Sequence, residues 1–141
     1  MVTSMDITYT TKKKVSVEDY IDLIGSTSLK DRRPLDDPER IEQMIKNANL
    51  TVTAWDGNEL VGIARSVTDF AYCCYLSDLA VRGSYQKRGI GKKLVQFTKD
   101  NLHNNAKIIL LAAPQAEEYY PHIGFDRHNA AFIFSNTMII R

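Results

Sequence analysis

Cysteine is nearly absent from these 141 residues, and the two that occur, Cys73 and Cys74, are neighbours. Adjacent residues of a strand point to opposite faces, so this pair is badly placed to bridge itself and supports no disulfide framework. A reducing, cytoplasmic setting is the expectation. No run approaches the ~20 apolar residues of a membrane span, and the N-terminus lacks the apolar stretch of a secretory signal. No membrane partner is therefore expected. The four prolines and seven glycines form no linker, and no repeat or low-complexity tract divides the chain. Residues 1–141 thus read as a single domain. Net charge is scarce too: +1, too little to indicate nucleic acid. Nothing in the sequence asks for a metal.

One local absence is informative. No Asp or Glu occurs from Leu79 to Lys99, whereas Arg82, Lys87, Arg88, Lys92, Lys93 and Lys99 all fall there. An anion would bind in that stretch.

Around it, hydrophobic spacing outlines the elements. Ile7 to Thr11 alternates weakly, as a first strand would. Ser16-Val17-Glu18-Asp19 has the form of a helix N-cap, followed by Val17, Tyr20, Ile21 and Ile24 at helical spacing up to Gly25. Asp37-Pro38-Glu39 opens a second helix, with Ile41, Met44 and Ile45 on one side. Leu50 to Trp55 and Leu60 to Thr68 flank the hairpin turn Asp56-Gly57-Asn58. Tyr72 to Val81 is a long strand and Ile90 to Leu102 a helix with Ile90, Leu94, Phe97, Thr98 and Leu102 inward. Lys107 to Ala113 reads as a buried strand, and Gln115 to Tyr120 as a short helix. Gly124-Phe125 and Ala131 to Ile140 read as final strands, paired through Arg127-His128-Asn129. The order β-α-α-β-β-β-α-β-α-β-β is an α/β fold with a mixed sheet, since hairpins are interleaved with one β-α-β crossover.

The most informative segment is the turn between the strand ending at Val81 and the helix starting near Gly89 to Gly91. Helix starts expose unpaired N–H groups with partial positive charge, and glycine lets backbone approach an anion. Two nucleotide motifs fail here. A P-loop would need glycine where Gln86 stands and a hydroxyl where Lys93 stands. A dinucleotide fingerprint would need glycine at Leu94, and the crossover lies mid-chain behind hairpins.

Gln86-Lys87-Arg88-Gly89-Ile90-Gly91 does match [Q/R]-x-x-G-x-[G/A], the pyrophosphate motif of the GNAT superfamily of acyl-CoA-dependent N-acyltransferases. Leu79-Ala80-Val81 is similar to that family's preceding strand, and Tyr119-Tyr120-Pro121-His122-Ile123-Gly124-Phe125 resembles its Tyr-x-x-x-Gly-Phe element. The likeness covers residues 50 to 135 by motif and the first 50 by order of elements. It implies the GNAT fold, a mixed and mostly antiparallel central sheet flanked by helices. It also implies acetyl-CoA as co-substrate, an amine acceptor, direct attack without an acyl-enzyme, and a monomer or homodimer.

Carried over residue by residue, the resemblance gives Gln86, Lys87, Arg88, Gly89, Ile90, Gly91 and Lys92 to the pyrophosphate. It gives the backbone of Leu79, Ala80 and Val81 to the pantetheine arm and the polarised carbonyl. Tyr120 stands where the general acid sits, four residues before Gly124, and a phenol with pKa ~10 suits an alkyl thiolate. Tyr119 would take that role if the helix were shifted. Asp78 is a candidate base or a structural hydrogen-bonding residue. Ser77 occupies the place where some members carry a catalytic Glu, and Ala113 the place where many carry a cofactor-contacting Asn. His122 reads as a helix-end residue and the cysteines as inert. Trp55, Tyr72, Tyr75 and Phe132 are candidate walls for the acceptor, and Asp31, Asp36, Asp37 and Glu39 candidate acids beside it. An acyl-CoA-binding module without catalysis is the alternative. Nucleic-acid binding through the basic turn would fall steeply with salt, and the near-neutral charge argues against it.

Overall fold

The computed structural model describes residues 6–141, and the notable feature of its first half is that both helices start where their caps dictate. Helix α1 (Val17–Gly25) begins after Ser16, whose side chain accepts from the Asp19 N–H at 3.0 Å. Helix α2 (Pro38–Asn47) begins after Asp37, which accepts from the Arg40 N–H at 3.2 Å. Each cap satisfies a donor that the helix itself cannot.

Five strands form one sheet in the order β1-β2-β3-β4-β5: β1 (Thr8–Thr10), β2 (Leu50–Asp56), β3 (Glu59–Thr68), β4 (Cys73–Val81) and β5 (Lys107–Ile109). The first three pairings are antiparallel and β4–β5 is parallel, reached through helix α3 (Ile90–Asp100). The sheet is covered on both faces. On one, Tyr20, Leu23 and Ile24 of α1 and Ile41 of α2 pack against Trp55, Leu60, Ile63 and Ala80. On the other, Ile90 and Leu94 of α3 pack against Val52, Ala54, Val61, Ala64 and Leu76. These side chains are almost wholly removed from water, and their burial is the main favourable term holding the three layers together.

Leu76 and Ala80 lie on opposite faces of β4 although their spacing is even. A bulge explains this: Arg65 pairs with Asp78 and Ser66 with Leu76, leaving Ser77 as an extra residue. Such an insertion shifts the side-chain alternation by one and bends the strand.

Several sequence expectations are corrected. β5 has three residues, not the seven from Lys107 to Ala113, and Ile109 and Leu111 are exposed, so it is no buried strand. The segment from Gln115 to Tyr120 divides into a single 3-10 turn (Pro114–Ala116) and the short helix α4 (Tyr119–His122). Phe97 is exposed at 39% and stacks on Tyr9 with centroids 5.2 Å apart, rather than entering the core. The expected final strands at Gly124-Phe125 and Ala131 to Ile140 are not formed. Residues 125–141 carry no strand, and Phe132 and Ile139 are 93% and 85% exposed.

Candidate functional site

The site begins where two strands part. β4 pairs with β5 only from Cys73 to Tyr75, against Lys107 to Ile109. Beyond Tyr75, β4 keeps its pairing with β3 through Val81, while its other edge turns away from residues 110–113. The wedge between them is a cleft lined by Leu79, Ala80 and Val81 on one side, Leu110 and Ala113 on the other, and closed by Tyr120 and Arg33. Backbone groups along the free edge of β4 are available to an extended ligand, in the way any sheet edge is.

At the open end of the wedge lies the basic turn. A 3-10 turn (Gly83–Tyr85) leads into it, and Tyr85 is tied to Asp56 by a 2.5 Å hydrogen bond. The Gln86 side-chain amide donates to the Val81 carbonyl at 2.9 Å, so this glutamine staples the turn to the end of β4. Lys87 has φ +63° and Gly89 φ +79°. Left-handed residues followed by helix point successive N–H groups into one concavity, an anion-binding arrangement. Gly89 is the residue preceding α3, and the first intrahelical backbone bond runs from Lys93 N–H to the Gly89 carbonyl at 3.1 Å. The N–H groups of Ile90, Gly91 and Lys92 therefore stay unused by the helix and carry the positive end of its dipole. A pyrophosphate fits these features. The cations are not equivalent, however. Arg82 is committed to Asp22, Glu59 and the Leu60 carbonyl, and the Arg88 guanidinium lies over the Tyr85 ring.

Tyr120 faces the cleft from α4. The Phe125 N–H donates to the Tyr120 carbonyl at 2.9 Å, and the two rings meet edge-on at 5.5 Å. This is the physical content of the Tyr-x-x-x-Gly-Phe spacing: the chain returns on itself and the phenylalanine fixes the tyrosine. Burial, reinforced by the neighbouring Tyr119, raises the Tyr120 pKa, and the charge of Arg33 acts against that rise. The phenol stays protonated, as a proton donor must. Tyr119 points elsewhere, toward Gly91 of the turn.

Asp78, a candidate base in the sequence, has a different place. Its side chain is buried and accepts from Tyr20 Oη at 2.6 Å, Arg65 Nε at 2.6 Å and Arg33 Nε at 2.5 Å. Burial alone would raise its pKa; the hydrogen bond and charge of Arg65, the Tyr20 hydrogen bond and the charge of Arg33 outweigh this and lower it. A carboxylate held by two guanidinium groups and shut from the cleft does not collect a proton from an amine. Its structural reading is the one this geometry supports. Around it, Arg33 Nη2 donates to the Ser77 carbonyl at 2.7 Å and Arg65 Nη2 to Ser77 Oγ at 3.0 Å, so the bulged residue is held from both sides.

The aromatic wall is not assembled. Trp55 is buried in the core, Tyr72 and Phe132 are exposed, and neither they nor Tyr75 line the cleft. Asp37 caps α2, and Asp31, Asp36 and Glu39 are exposed. Ala113 lines the cleft without a polar group, and His122 is exposed at the end of α4. Cys73 and Cys74 are free thiols. Arg33 was not singled out in the sequence and carries no local signal there. Arg65 had one: it is the sole charge in the run Leu60 to Thr68, opposite Asp78, itself the sole charge from Tyr72 to Val81. Among the described residues no group of His, Cys, Asp and Glu forms a metal site, and no helix is long and apolar enough to cross a membrane.

Known proteins share this architecture. The model of the GNAT acetyltransferase domain matches residues 23–140. An uncharacterized N-acetyltransferase, ycf52, of Gracilaria tenuistipitata var. liui is 29% identical over 122 residues, covering 79% of this chain and 65% of that protein. The histone acetyltransferase TAP1 of Glycine max is 30% identical over 108 residues, covering 67% of this chain and 46% of that protein. The chain thus spans about half to two thirds of the length of these relatives. Among solved structures, a GNAT family acetyltransferase of Streptococcus pneumoniae superposes with a TM-score of 0.74 at 25% identity, covering 94% of this chain and all of the other. An aminoglycoside N-acetyltransferase in complex with CoA shares the fold at a TM-score of 0.67 and 16% identity, covering 96% of each chain. With the domain model matched over residues 23–140 of this chain, and the splayed strands, Gln86 of the turn and the tyrosine lining one cleft, the chain belongs to the GNAT acetyltransferase family.

Proposed function

We propose that this chain is a single-domain N-acetyltransferase that moves an acetyl group from acetyl-CoA to a primary amine of a small molecule or protein by direct attack. The observation that carries the reading is a cleft lined by the edge of β4 from Leu79 to Val81, by Gln86 at the start of the basic turn, and by Tyr120. The turn's N–H groups and Lys87, Arg88 and Lys92 hold the pyrophosphate. The free edge of β4 pairs with the pantetheine arm and aims N–H groups at the thioester oxygen, where charge develops during attack. Tyr120 supplies the proton that the departing thiolate takes up.

No side chain in the cleft acts as a dedicated base, since Asp78 is locked and Ser77 has no basic group. The acceptor reacts as free amine, so its own pKa sets the rising limb of the pH–rate profile. The raised Tyr120 pKa keeps the falling limb above the ordinary phenol value of 10.0. The protein works as a monomer or homodimer, in the cytoplasm, where acetyl-CoA is at hand and its thiols stay reduced.

Thiol release from acetyl-CoA over a panel of amines tests this. Free CoA should appear with at least one acceptor class, and Tyr120→Phe should lower kcat by roughly 100-fold, a typical loss for general acid catalysis. The absence of a base favours one other reading, an acyl-CoA-binding module. Tight CoA binding with no thiol release across the panel would establish it in place of the transferase.

A further inference from the structure

Gly91 closes the basic turn, and its neighbour in space is on another element. A Cβ added to it would stand 2.7 Å from the Tyr119 hydroxyl, with Tyr119 Cζ at 3.6 Å and Val81 Cγ2 at 3.7 Å. The phenol of α4 therefore reaches across to the first turn of α3, and a side chain at position 91 would require its oxygen to shift. The pattern of the motif admits alanine at this position; in this chain alanine would displace the Tyr119 hydroxyl.

Among the described residues the Tyr119 hydroxyl has no hydrogen-bond partner in the protein, and the side chain is 37% exposed, so a ligand at the turn can reach it. It stands beside the end of the turn where the N–H groups of Ile90, Gly91 and Lys92 lie outside the helical ladder. The Tyr119 and Tyr120 rings are edge to face at 5.4 Å, with Tyr120 lining the cleft and the Tyr119 hydroxyl beside Gly91. Burial raises the Tyr119 pKa, so the oxygen keeps its hydrogen.

We propose that Tyr119 is a second anchor of the cofactor: its hydroxyl donates a hydrogen bond to the pyrophosphate held by the turn, and Gly91 is glycine to let it do so. This rests on the reading of the turn as the pyrophosphate site. It divides labour within Tyr119-Tyr120, the first tyrosine binding phosphate and the second serving the thiolate.

Calorimetric titration of the full chain with CoA tests both levels. Wild type should bind, and Tyr119→Phe should raise Kd about tenfold, the size of one hydrogen bond to a charged group. Gly91→Ala should cost a similar factor by pushing the hydroxyl aside. In the Tyr119→Phe background it should cost little, because the nearest remaining ring atom is then at ordinary contact distance. With acetyl-CoA, Tyr119→Phe should raise KM by a larger factor than it lowers kcat. With S-acetyl-N-acetylcysteamine, which has no pyrophosphate, the rise in KM should disappear. Unaltered CoA affinity in a cooperatively unfolding Tyr119→Phe variant would overturn the proposal while leaving the turn's assignment intact. So would additive losses for Gly91→Ala and Tyr119→Phe. Failure of wild type to bind CoA at all would overturn the pyrophosphate reading and the inference with it.

Discussion

At the scale of single residues, Asp78 is where chemistry and stability separate. It is wholly buried yet charged, and tolerates this because Arg65, Arg33 and Tyr20 satisfy both of its oxygens. Taking away the charge leaves two guanidinium groups facing an amide, and disrupting one partner of a buried ion pair costs about 3–5 kcal/mol. Asp78→Asn is therefore expected to lower the thermal midpoint by on the order of 10 °C, read by circular dichroism. The pH dependence has the same origin. The folded pKa of Asp78 lies below its ordinary 3.8, so the stabilisation is complete above that value and is lost as pH falls through the lowered one. The wild-type midpoint should stay level above about pH 5 and drop below pH 4, whereas the Asn variant should show a smaller drop. Equal acid sensitivity of the two proteins would remove Asp78 from this role.

Arg33 binds this network to the cleft. Its Nε meets Asp78, its Nη2 meets the Ser77 carbonyl, and its side chain lines the wall opposite Tyr120. The loop between α1 and α2 is thereby fixed to the bulge of β4.

At the scale of elements, the turn between β4 and α3 depends on one backbone conformation. Gly89 sits at φ +79° with open space where a Cβ would be. A side chain there costs about 1–2 kcal/mol of backbone strain, without a clash. Gly89→Glu is thus expected to fold, with a midpoint only a few degrees lower, while its carboxylate repels the pyrophosphate. Calorimetry should find no CoA binding in this variant, and an affinity equal to wild type would move the cofactor site elsewhere. Gln86 has a structural part in the same turn through its bond to the Val81 carbonyl, so the motif's first position secures the strand end.

At the scale of the whole molecule, the exposed apolar side chains are out of keeping with a water-facing protein. Phe132, Ile133, Phe134, Met138, Ile139 and Ile140 are all exposed, and so are Ile109 of β5 and Leu111 beyond it. Exposed apolar side chains in such number favour association. The weight-average mass in sedimentation velocity is expected to rise with protein concentration, and the pair Phe132→Lys and Ile139→Lys to suppress that rise. A concentration-independent monomer would show that these side chains are covered within one chain.

Sequence by itself determined the parts of this protein whose causes are local. Ser16 and Asp37 start their helices because each cap bonds a donor three residues on. The spacing from Gln86 to Gly91 specifies a strand-to-helix turn, and the acid-free stretch around it leaves that turn basic. The hairpin turn at Asp56-Gly57-Asn58 is equally local, with β2 ending at Asp56 and β3 starting at Glu59. Tertiary structure alone decided what depends on distant partners. Asp78 finds Tyr20 and Arg33 at separations of 58 and 45 residues, and no local pattern tells a buried ion-paired carboxylate from a base. The bulge at Ser77 shifts the faces of β4 by one residue, which period-2 reading cannot anticipate. The end of the chain has strand-like composition without strand pairing, and β-forming composition does not by itself specify a ladder. Tyr119 and Tyr120 look interchangeable as neighbours in sequence; packing of α4 against α3 and the wedge sends one hydroxyl to Gly91 and leaves the other at the cleft.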